Sequence, residues 1–357
     1  MVIFGGRSGE HEVSLASARA VMDALESSGC YEVQPVGITR EGRWLSGGDP
    51  LGELAGSLTE AALSPPRQAP QSREAGALTR TAEKLPSGLG EADVVFPVLH
   101  GPDGEDGTVQ GLLELAGVPY VGSGVLASAT GMDKVTMKKV FAFHGLPQVE
   151  WVGLTHTEWE ADRDGWMRNI QNTTGYPCFV KPSNMGSSIG IGRADDPEEL
   201  AEALDRAAEH DRRLIVEAGV DAREVEVSVL GNESPEVSVP GEIVVGTGGF
   251  YDYEAKYTAG ASEILAPAEI PESVSGEMER VARAAYRSID AAGFARVDFF
   301  LERGTDRLLL NEINTIPGFT PTSVYASLWD ASGLPYQKLL DRLIELALER
   351  HAEKHGP

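Results

Sequence analysis

The sequence predicts an α/β protein with an open, mainly parallel sheet in its N-terminal domain and an α+β arrangement towards the C-terminus. A chain of 357 residues is too long for one compact core, so two or three domains are expected. The chain opens with a strand, a glycine loop and a helix, which is typical of open α/β sheets. Near the C-terminus, two strand-like segments joined by a short turn predict an antiparallel hairpin.

The opening unit comprises a predicted strand at residues 2–4, a glycine loop at 5–9 and a helix from Glu10 to about Leu25. A ligand is expected at the start of such a helix, because its unpaired N–H groups and its dipole attract negative charge. Glu10 stands at this position. Helix capping explains a carboxylate there, and the functional alternative is that it holds a substrate ammonium.

Residues 31–38 and 93–99 predict further strands of the same sheet, and residues 108–116 predict a helix. His100 follows the second of these strands, either as a polar site residue or as a structural histidine whose hydrogen bonds are satisfied. Residues 46–90 are rich in Ala, Gly, Pro, Ser and Thr with little apolar periodicity. They predict irregular surface structure with one or two short helices.

The middle of the chain carries two lysines in settings that suit phosphate binding. Residues 127–144 predict one helix, which carries Lys134, and residues 178–181 predict a strand that ends at Lys181. The glycines and serines of residues 183–190 then offer backbone N–H groups and hydroxyls to oxygen atoms. This is not a Walker A loop, because no Gly-Lys-Ser/Thr ends it. The alternative is a surface loop with solvated lysines.

Two further strands are predicted at residues 214–217 and 223–230, with Glu217 at the end of the first and Glu224 at the start of the second. A carboxylate at a strand end can accept hydrogen bonds from ribose hydroxyls or an adenine amino group, as in other nucleotide sites. Ordinary surface glutamates are the alternative. Residues 250–263 form a polar, aromatic run flanked by glycines, which predicts either a loop that moves over a site or an edge strand.

The predicted hairpin at residues 294–314 gathers the strongest candidate ligands. Alternate side chains of a strand share a face, so Arg296 lies beside Asp298, and Glu312 beside Asn314. Two carboxylates and an amide oxygen suit Mg²⁺, which usually keeps several waters and binds substrate phosphates as well. A solvated strand face with a cross-strand charge pair is the alternative.

Two more helices are predicted, one within residues 271–293 and one near 335–350, the latter with a leucine stripe along one face. The composition shifts and glycine-rich breaks place the domain limits at 1–122 (N-terminal α/β), 123–217 (central) and 218–357 (C-terminal).

Composition and charge exclude several classes of protein. The formal net charge of −25 argues against nucleic-acid binding and against docking on anionic membranes, and no apolar run is long enough to span a membrane. Cys30 and Cys178 belong to no Cys-x-x-Cys or Cys/His cluster, so neither a disulfide framework nor a zinc site is expected. A signal peptide is not expected either, which predicts a cytoplasmic protein.

Six motifs, in order along the chain from Gly5 to about Leu346, resemble the D-alanine–D-alanine ligase family of the ATP-grasp superfamily. They lie at residues 5–14, 99–107, 181–190, 251–257, 296–298 and 312–318. The resemblance implies three α/β domains in an ATP-grasp fold, with ATP held between the central and C-terminal domains. It also implies ATP-dependent joining of two D-alanine molecules through an acyl phosphate, for peptidoglycan precursors, by a homodimer that uses two Mg²⁺ or Mn²⁺ ions.

The same resemblance implies roles for particular residues. The positions that match nucleotide contacts are Lys134, Lys181, Ser188, Glu217, Val220, Glu224 and Lys256. Those that match D-alanine contacts are Glu10, His100, Arg296, Gly318, Ser323 and Val324. Those that match a network with Glu10 are Ser187 and Tyr257, and the catalytic set is Glu10, Ser187, Tyr257, Arg296 and Ser323. The matching metal ligands are Asp298, Glu312 and Asn314.

Three other functions remain open on the sequence. A D-alanine–D-lactate or D-serine ligase would share the fold, although Tyr257 resembles the dipeptide-forming type. A nucleotide-binding regulator without turnover would be expected to have lost the residues that carry the chemistry, such as Lys181 and Asp298. A dinucleotide-dependent oxidoreductase is disfavoured, because residues 5–9 lack the Gly-x-Gly-x-x-Gly spacing.

Overall fold

The computed structural model describes residues 1–61, 86, 88–186, 189–245 and 262–356. Its strands form three separate sheets, of four, four and six strands, and helices pack against them. The α/β class predicted from the sequence is therefore confirmed.

The N-terminal sheet has the predicted open, mainly parallel arrangement. Its strands, in the order β3-β2-β1-β4, are β1 (Val2–Gly5), β2 (Pro35–Ile38), β3 (Trp44–Ser46) and β4 (Phe96–Val98). β1 pairs in parallel with β2 and β4, whereas β3 runs antiparallel to β2. The helices of this region are α1 (His11–Ser27), α2 (Pro50–Ala61) and α3 (Thr108–Ala116), with a 3₁₀ turn at Leu89–Glu91.

The strands predicted at residues 31–38 and 93–99 are shorter in the structure. β2 begins at Pro35 and β4 at Phe96, because these residues pair with Val2, where β1 begins. The Tyr31 hydroxyl instead donates to Asp341, 2.9 Å away. Strand length here is set by the partner strand, which the local sequence does not reveal.

The central sheet is antiparallel and has the order β5-β8-β6-β7. Its strands are β5 (Trp151–Thr155), β6 (Cys178–Pro182), β7 (Gly192–Ala194) and β8 (Arg213–Ala218). Residues 127–144 do not form the single predicted helix but α4 (Val125–Met132) and α5 (Lys134–Phe143). Asp133 breaks them apart because its backbone is extended, and its carboxylate caps α5 by accepting from Thr136 N at 2.7 Å.

Three helices accompany the central sheet, and their apolar faces share one core with it. They are α6 (His156–Ala161), α7 (Arg163–Thr173) and α8 (Pro197–Ala208). α8 begins with Pro197 at its first position and the Asp196 carboxylate as its cap, which is a strong start signal.

The third sheet has the order β12-β11-β9-β13-β14, with β10 paired to β9. Its strands are β9 (Ala222–Leu230), β10 (Glu236–Val237), β11 (Gly241–Val245), β12 (Ser262–Leu265), β13 (Phe294–Glu302) and β14 (Leu308–Asn314). α9 (Glu272–Ser288) covers one face of this sheet, together with buried side chains of α4 and α5. The predicted antiparallel hairpin is β13 and β14.

The chain ends with α10 (Val324–Ala331) and α11 (Tyr336–His355). The predicted leucine stripe of α11 is buried in the same core as Phe4 of β1 and Leu15 of α1. The C-terminal helix therefore completes the N-terminal core. The domain limits at 1–122, 123–217 and 218–357 stay a prediction.

Candidate active site

A β-bulge in the hairpin gives its polar side chains their direction. Arg296 pairs with Asn314 and Asp298 with Glu312, but Phe299 pairs with Leu310, so Asn311 is an extra residue on β14. Because the extra residue shifts the alternation by one, Leu310 faces the apolar core while Glu312 lies on the opposite face. The structure thus brings together the two carboxylates that the sequence placed on facing strands.

Arg296 joins two carboxylates on this polar face. Its guanidinium donates to both oxygens of Asp298 at 2.7 Å, and its Nε lies 2.8 Å from Oε2 of Glu226. Glu226 sits on β9 directly opposite Asp298, in register. Glu226 was not predicted from the sequence, although its position among the alternating valines of β9 puts it on the same face as Glu224.

Glu217 forms the centre of a buried charge cluster at the end of β8. Lys138 Nζ lies 2.7 Å from Glu217 Oε1, and Lys181 Nζ lies 2.5 Å from Oε2. Burial acts to raise the pKa of Glu217, but the two ammonium groups outweigh it and lower the pKa to about 2. Lys138 is a second residue that the sequence analysis missed.

This cluster predicts a specific dependence of stability on pH. Because the pKa of Glu217 is lower in the folded state than its ordinary 4.5, its ionisation stabilises the fold above that value and is lost as the pH falls towards 2. The shift corresponds to about 3 kcal/mol. Urea unfolding at pH 7 and pH 3 should show that the free energy of unfolding falls less with acid for Glu217→Gln than for the wild type. The exposed Glu160→Gln should behave as the wild type, and equal losses for all three would contradict this prediction.

Lys134 links the lysine side of the site to the carboxylate side. Its Nζ donates to the Met185 carbonyl at 3.0 Å and lies 3.8 Å from Oε2 of Glu312. The charges of Glu217, Glu312 and Glu224 also raise the pKa of Lys181, although burial acts to lower it. The predicted phosphate-binding lysines and metal-binding carboxylates therefore face one another.

The base of the loop after β6 is fixed to the start of α5. The Asn184 side chain donates to Asp133 at 2.9 Å, and its backbone N–H donates to Asp211 at 2.8 Å. Arg213 donates to the same Asp133 carboxylate at 2.6 Å. These contacts place the entry to the glycine–serine loop next to Lys134.

Glu10 borders a cleft between the N-terminal sheet and this loop. It precedes α1, and its side chain makes no capping hydrogen bond to the helix within the described residues. A Cβ at Gly101 would lie 2.9 Å from Glu10 Oε2, and one at Gly186 2.8 Å, so a side chain at either position would displace the Glu10 carboxylate from its present place. The cleft has a volume of about 300 Å³ and is lined by Arg7, Ser8, Gly9, Glu10, Pro102, Asp103, Met185, Gly186 and Ile189.

His100 connects this cleft to the segment after the hairpin. It is buried, and its Nδ1 donates to the Ile316 carbonyl at 2.9 Å. Burial acts to lower the pKa of His100, but the Glu105 carboxylate, 3.5 Å away, outweighs it and raises the pKa. Glu105 is a further polar neighbour that the sequence analysis did not select.

The remaining predicted contacts lie at turns. Ser323 precedes α10, where its hydroxyl accepts from Thr320 N at 3.0 Å, and Val324 is the first residue of the helix. A Cβ at Gly318 would lie 3.4 Å from the Ser323 hydroxyl. Val220 lies in the short connection between β8 and β9.

Four predicted site residues lie outside the described residues: Ser187, Ser188, Lys256 and Tyr257. Their roles stay predictions.

The polar face of the hairpin offers oxygen atoms to a divalent cation. In the part of the chain that the structure describes, no group of three or more His, Cys, Asp or Glu side chains is arranged to hold a metal. The predicted set, however, is Asp298, Glu312 and the amide of Asn314, two of them adjacent on paired strands. Such oxygens fit Mg²⁺ when waters and nucleotide phosphates complete its shell.

The structure has three sheets, and lysines of the central sheet and of α5 face carboxylates of the C-terminal hairpin. This arrangement is the ATP-grasp class of fold. The family model described as D-ala D-ala ligase N-terminus matches residues 1–123, and the one described as D-ala D-ala ligase C-terminus matches residues 140–345. The chain belongs to the D-alanine–D-alanine ligase family.

Relatives match over nearly their whole length. The chain is 48% identical to a D-alanine–D-alanine ligase of Heliobacterium modesticaldum, covering 99% of this chain and 95% of the relative. It is 47% identical to the one of Geobacillus thermodenitrificans, covering 99% and 96%.

Two solved ligase structures are similar to this chain over nearly its whole length. The D-alanine–D-alanine ligase of Coxiella burnetii has a TM-score of 0.79 and 34% identity, over 99% of this chain and 94% of that one. The VanG D-Ala:D-Ser ligase of Enterococcus faecalis has a TM-score of 0.79 and 36% identity, over 97% of this chain and 98% of that one.

Within the described residues, no helix has both the length and the apolar character needed to cross a membrane.

Proposed function

We propose that this chain uses ATP to join two D-alanine molecules into D-alanyl-D-alanine, a step in making peptidoglycan precursors. Membership of the ligase family supports the reaction. The observation in the structure that carries the proposal is the approach of Lys134 to Glu312 at 3.8 Å, because it joins a phosphate-binding side to a metal-binding side. A nucleoside triphosphate needs cations that bind its phosphates and carboxylates that hold its metal ions.

The nucleotide would lie between the central and C-terminal sheets. Lys134 and Lys181 would attract its phosphates, and Glu224, near the start of β9, would accept from its ribose. Asp298, Glu312 and Asn314 would hold the divalent ions. These ions, when bound, neutralise the charge of the phosphate oxygens.

The first D-alanine would lie beside Glu10, whose carboxylate can hold the substrate ammonium. The D-alanine carboxylate attacks the γ-phosphorus of ATP, which gives an acyl phosphate and ADP. The amine of the second D-alanine attacks the acyl carbonyl, loses its proton, and inorganic phosphate leaves. Arg296 and the Gly318 N–H are candidates to stabilise the oxyanion, at about 3 kcal/mol per donor.

A substrate panel tests this proposal. Phosphate release from ATP should be fastest with D-alanine and should stay near background with L-alanine, because a site that holds the ammonium and carboxylate of one enantiomer places the methyl group of the other wrongly. D-serine and D-lactate, each supplied with D-alanine, complete the panel. Background rates with every substrate would favour the non-catalytic nucleotide-binding alternative.

A second candidate function is ligation of D-alanine to D-serine. The similarity to the VanG D-Ala:D-Ser ligase favours including it, and D-lactate represents the ester-forming alternative. Tyr257, on which the sequence preference for dipeptide formation depends, lies outside the described residues. Mass spectrometry of the products distinguishes the three: D-alanyl-D-alanine should dominate, and dominance of a mixed product would replace the first proposal.

We also propose that the protein works as a cytoplasmic homodimer, as the family resemblance implies. Sedimentation equilibrium should give about twice the 38.1 kDa mass of one chain. A single species at the monomer mass would contradict the dimer and leave the proposed reaction intact.

A further inference from the structure

Among the described residues near the site, Lys138 is the most deeply buried cation, and no role for it was predicted from the sequence. Its side chain is only 1% exposed, and its partner Glu217 is 4% exposed. It lies one helical turn after Lys134 on α5, so both ammonium groups point to the same side of the helix. The next residue, Lys139, is exposed.

Lys138 contacts both sheets that would enclose the nucleotide. Its Nζ pairs with Glu217 on β8 at 2.7 Å and donates to the Asn311 carbonyl on β14 at 3.4 Å. Asn311 is the extra residue of the bulge that directs Glu312. Lys138 thus contacts the partner of Lys181 on the central sheet and the residue next to Glu312 on the C-terminal sheet.

The charges explain why two lysines share one carboxylate. If Lys181 alone faced Glu217, the pair would be neutral, and the lysine would have to leave a buried anion to bind phosphate. With Lys138 on the other oxygen, Glu217 stays compensated, and the cluster of Lys138, Glu217 and Lys181 carries one net positive charge. That excess charge is available to a phosphate group.

We infer that Lys138 is a positioning residue that neutralises Glu217 and so leaves the charge of Lys181 free to bind the phosphates of the nucleotide. The inference rests on the proposed function in taking a nucleotide as the ligand. Loss of charge compensation should weaken the binding of ligands that carry phosphates, whereas a packing defect should weaken the binding of ADP and adenosine alike.

Equilibrium dialysis with Mg-ADP and with adenosine provides the test. Lys138→Met should raise the dissociation constant of ADP by roughly tenfold or more and that of adenosine by less than about threefold. Lys138→Arg, which keeps the charge, should bind ADP more tightly than Lys138→Met. The matched control Lys139→Met should bind both ligands as the wild type does.

A double variant keeps the test decisive if Lys138→Met is poorly folded. Lys138→Met combined with Glu217→Gln removes both charges, so the ratio of ADP to adenosine affinity should return to within about threefold of the wild type. Equal weakening of both ligands, or an unchanged ratio in Lys138→Met, would overturn the inference. If the wild type binds ADP but releases no phosphate with D-alanine, the proposed function fails and the binding ratio still decides the role of Lys138.

Discussion

Asp298→Asn should lower the turnover number with ATP and D-alanine by roughly a thousandfold, or about 4 kcal/mol of activation free energy. Asp298 is the middle member of a row, opposite Glu226 on one side and Glu312 on the other. An amide removes one negative charge from the predicted metal site with little change in shape. The measurement is phosphate release over a titration of Mg²⁺, and the Mg²⁺ concentration for half-maximal rate should also rise.

The matched control for this substitution is Glu302→Gln at the far end of the same strand. Glu302 pairs with Arg307 at 2.9 Å on the surface, so this change should leave turnover within about twofold of the wild type. Near-normal turnover by a folded Asp298→Asn protein would remove the metal assignment.

Arg296→Lys should lower the turnover number about a hundredfold while the KM for ATP stays within about threefold. One guanidinium reaches both oxygens of Asp298 and also Glu226, which a single ammonium cannot do. Because Arg296 is proposed to stabilise the oxyanion, the substitution should slow the chemical step and leave ATP binding nearly unchanged. Steady-state kinetics with ATP and D-alanine varied in turn would measure it.

Arg303→Lys is the corresponding control, because Arg303 makes an exposed pair with Asp221 at 3.3 Å. It should be indistinguishable from the wild type. A loss in Arg296→Lys confined to the KM for ATP would place Arg296 in nucleotide binding and contradict its role at the oxyanion.

The sequence predicted the polar faces of the hairpin because strand alternation is a local property. It did not predict the bulge at Asn311, since an extra residue is visible only in the pairing of two strands. The break at Asp133 could have been found, because Asp is a preferred residue at a helix start, where its carboxylate accepts from a backbone N–H of the first turn. Strand β2 could not, because its length depends on β1.

The candidate site shows the same division. Residues in distinctive motifs, such as Lys181 and Asp298, were selected from the sequence. Lys138 and Glu226 were not, since Lys138 is one of two neighbouring lysines in a helix and Glu226 lies between valines of a strand, and each acquires its partner only through tertiary packing. Burial turns such residues from surface charges into parts of a network, and burial is a property of the whole fold.

Isotope transfer tests the central claim, that this site activates a D-alanine carboxyl group with the γ-phosphoryl group of ATP. The protein is supplied with ATP, Mg²⁺ and D-alanine carrying ¹⁸O in its carboxylate, and the released phosphate is analysed by mass spectrometry. If the carboxylate attacks phosphorus and phosphate later leaves the acyl group, each phosphate should carry one oxygen from D-alanine. Phosphate whose new oxygen comes from water instead would show hydrolysis of ATP without activation and would contradict the account.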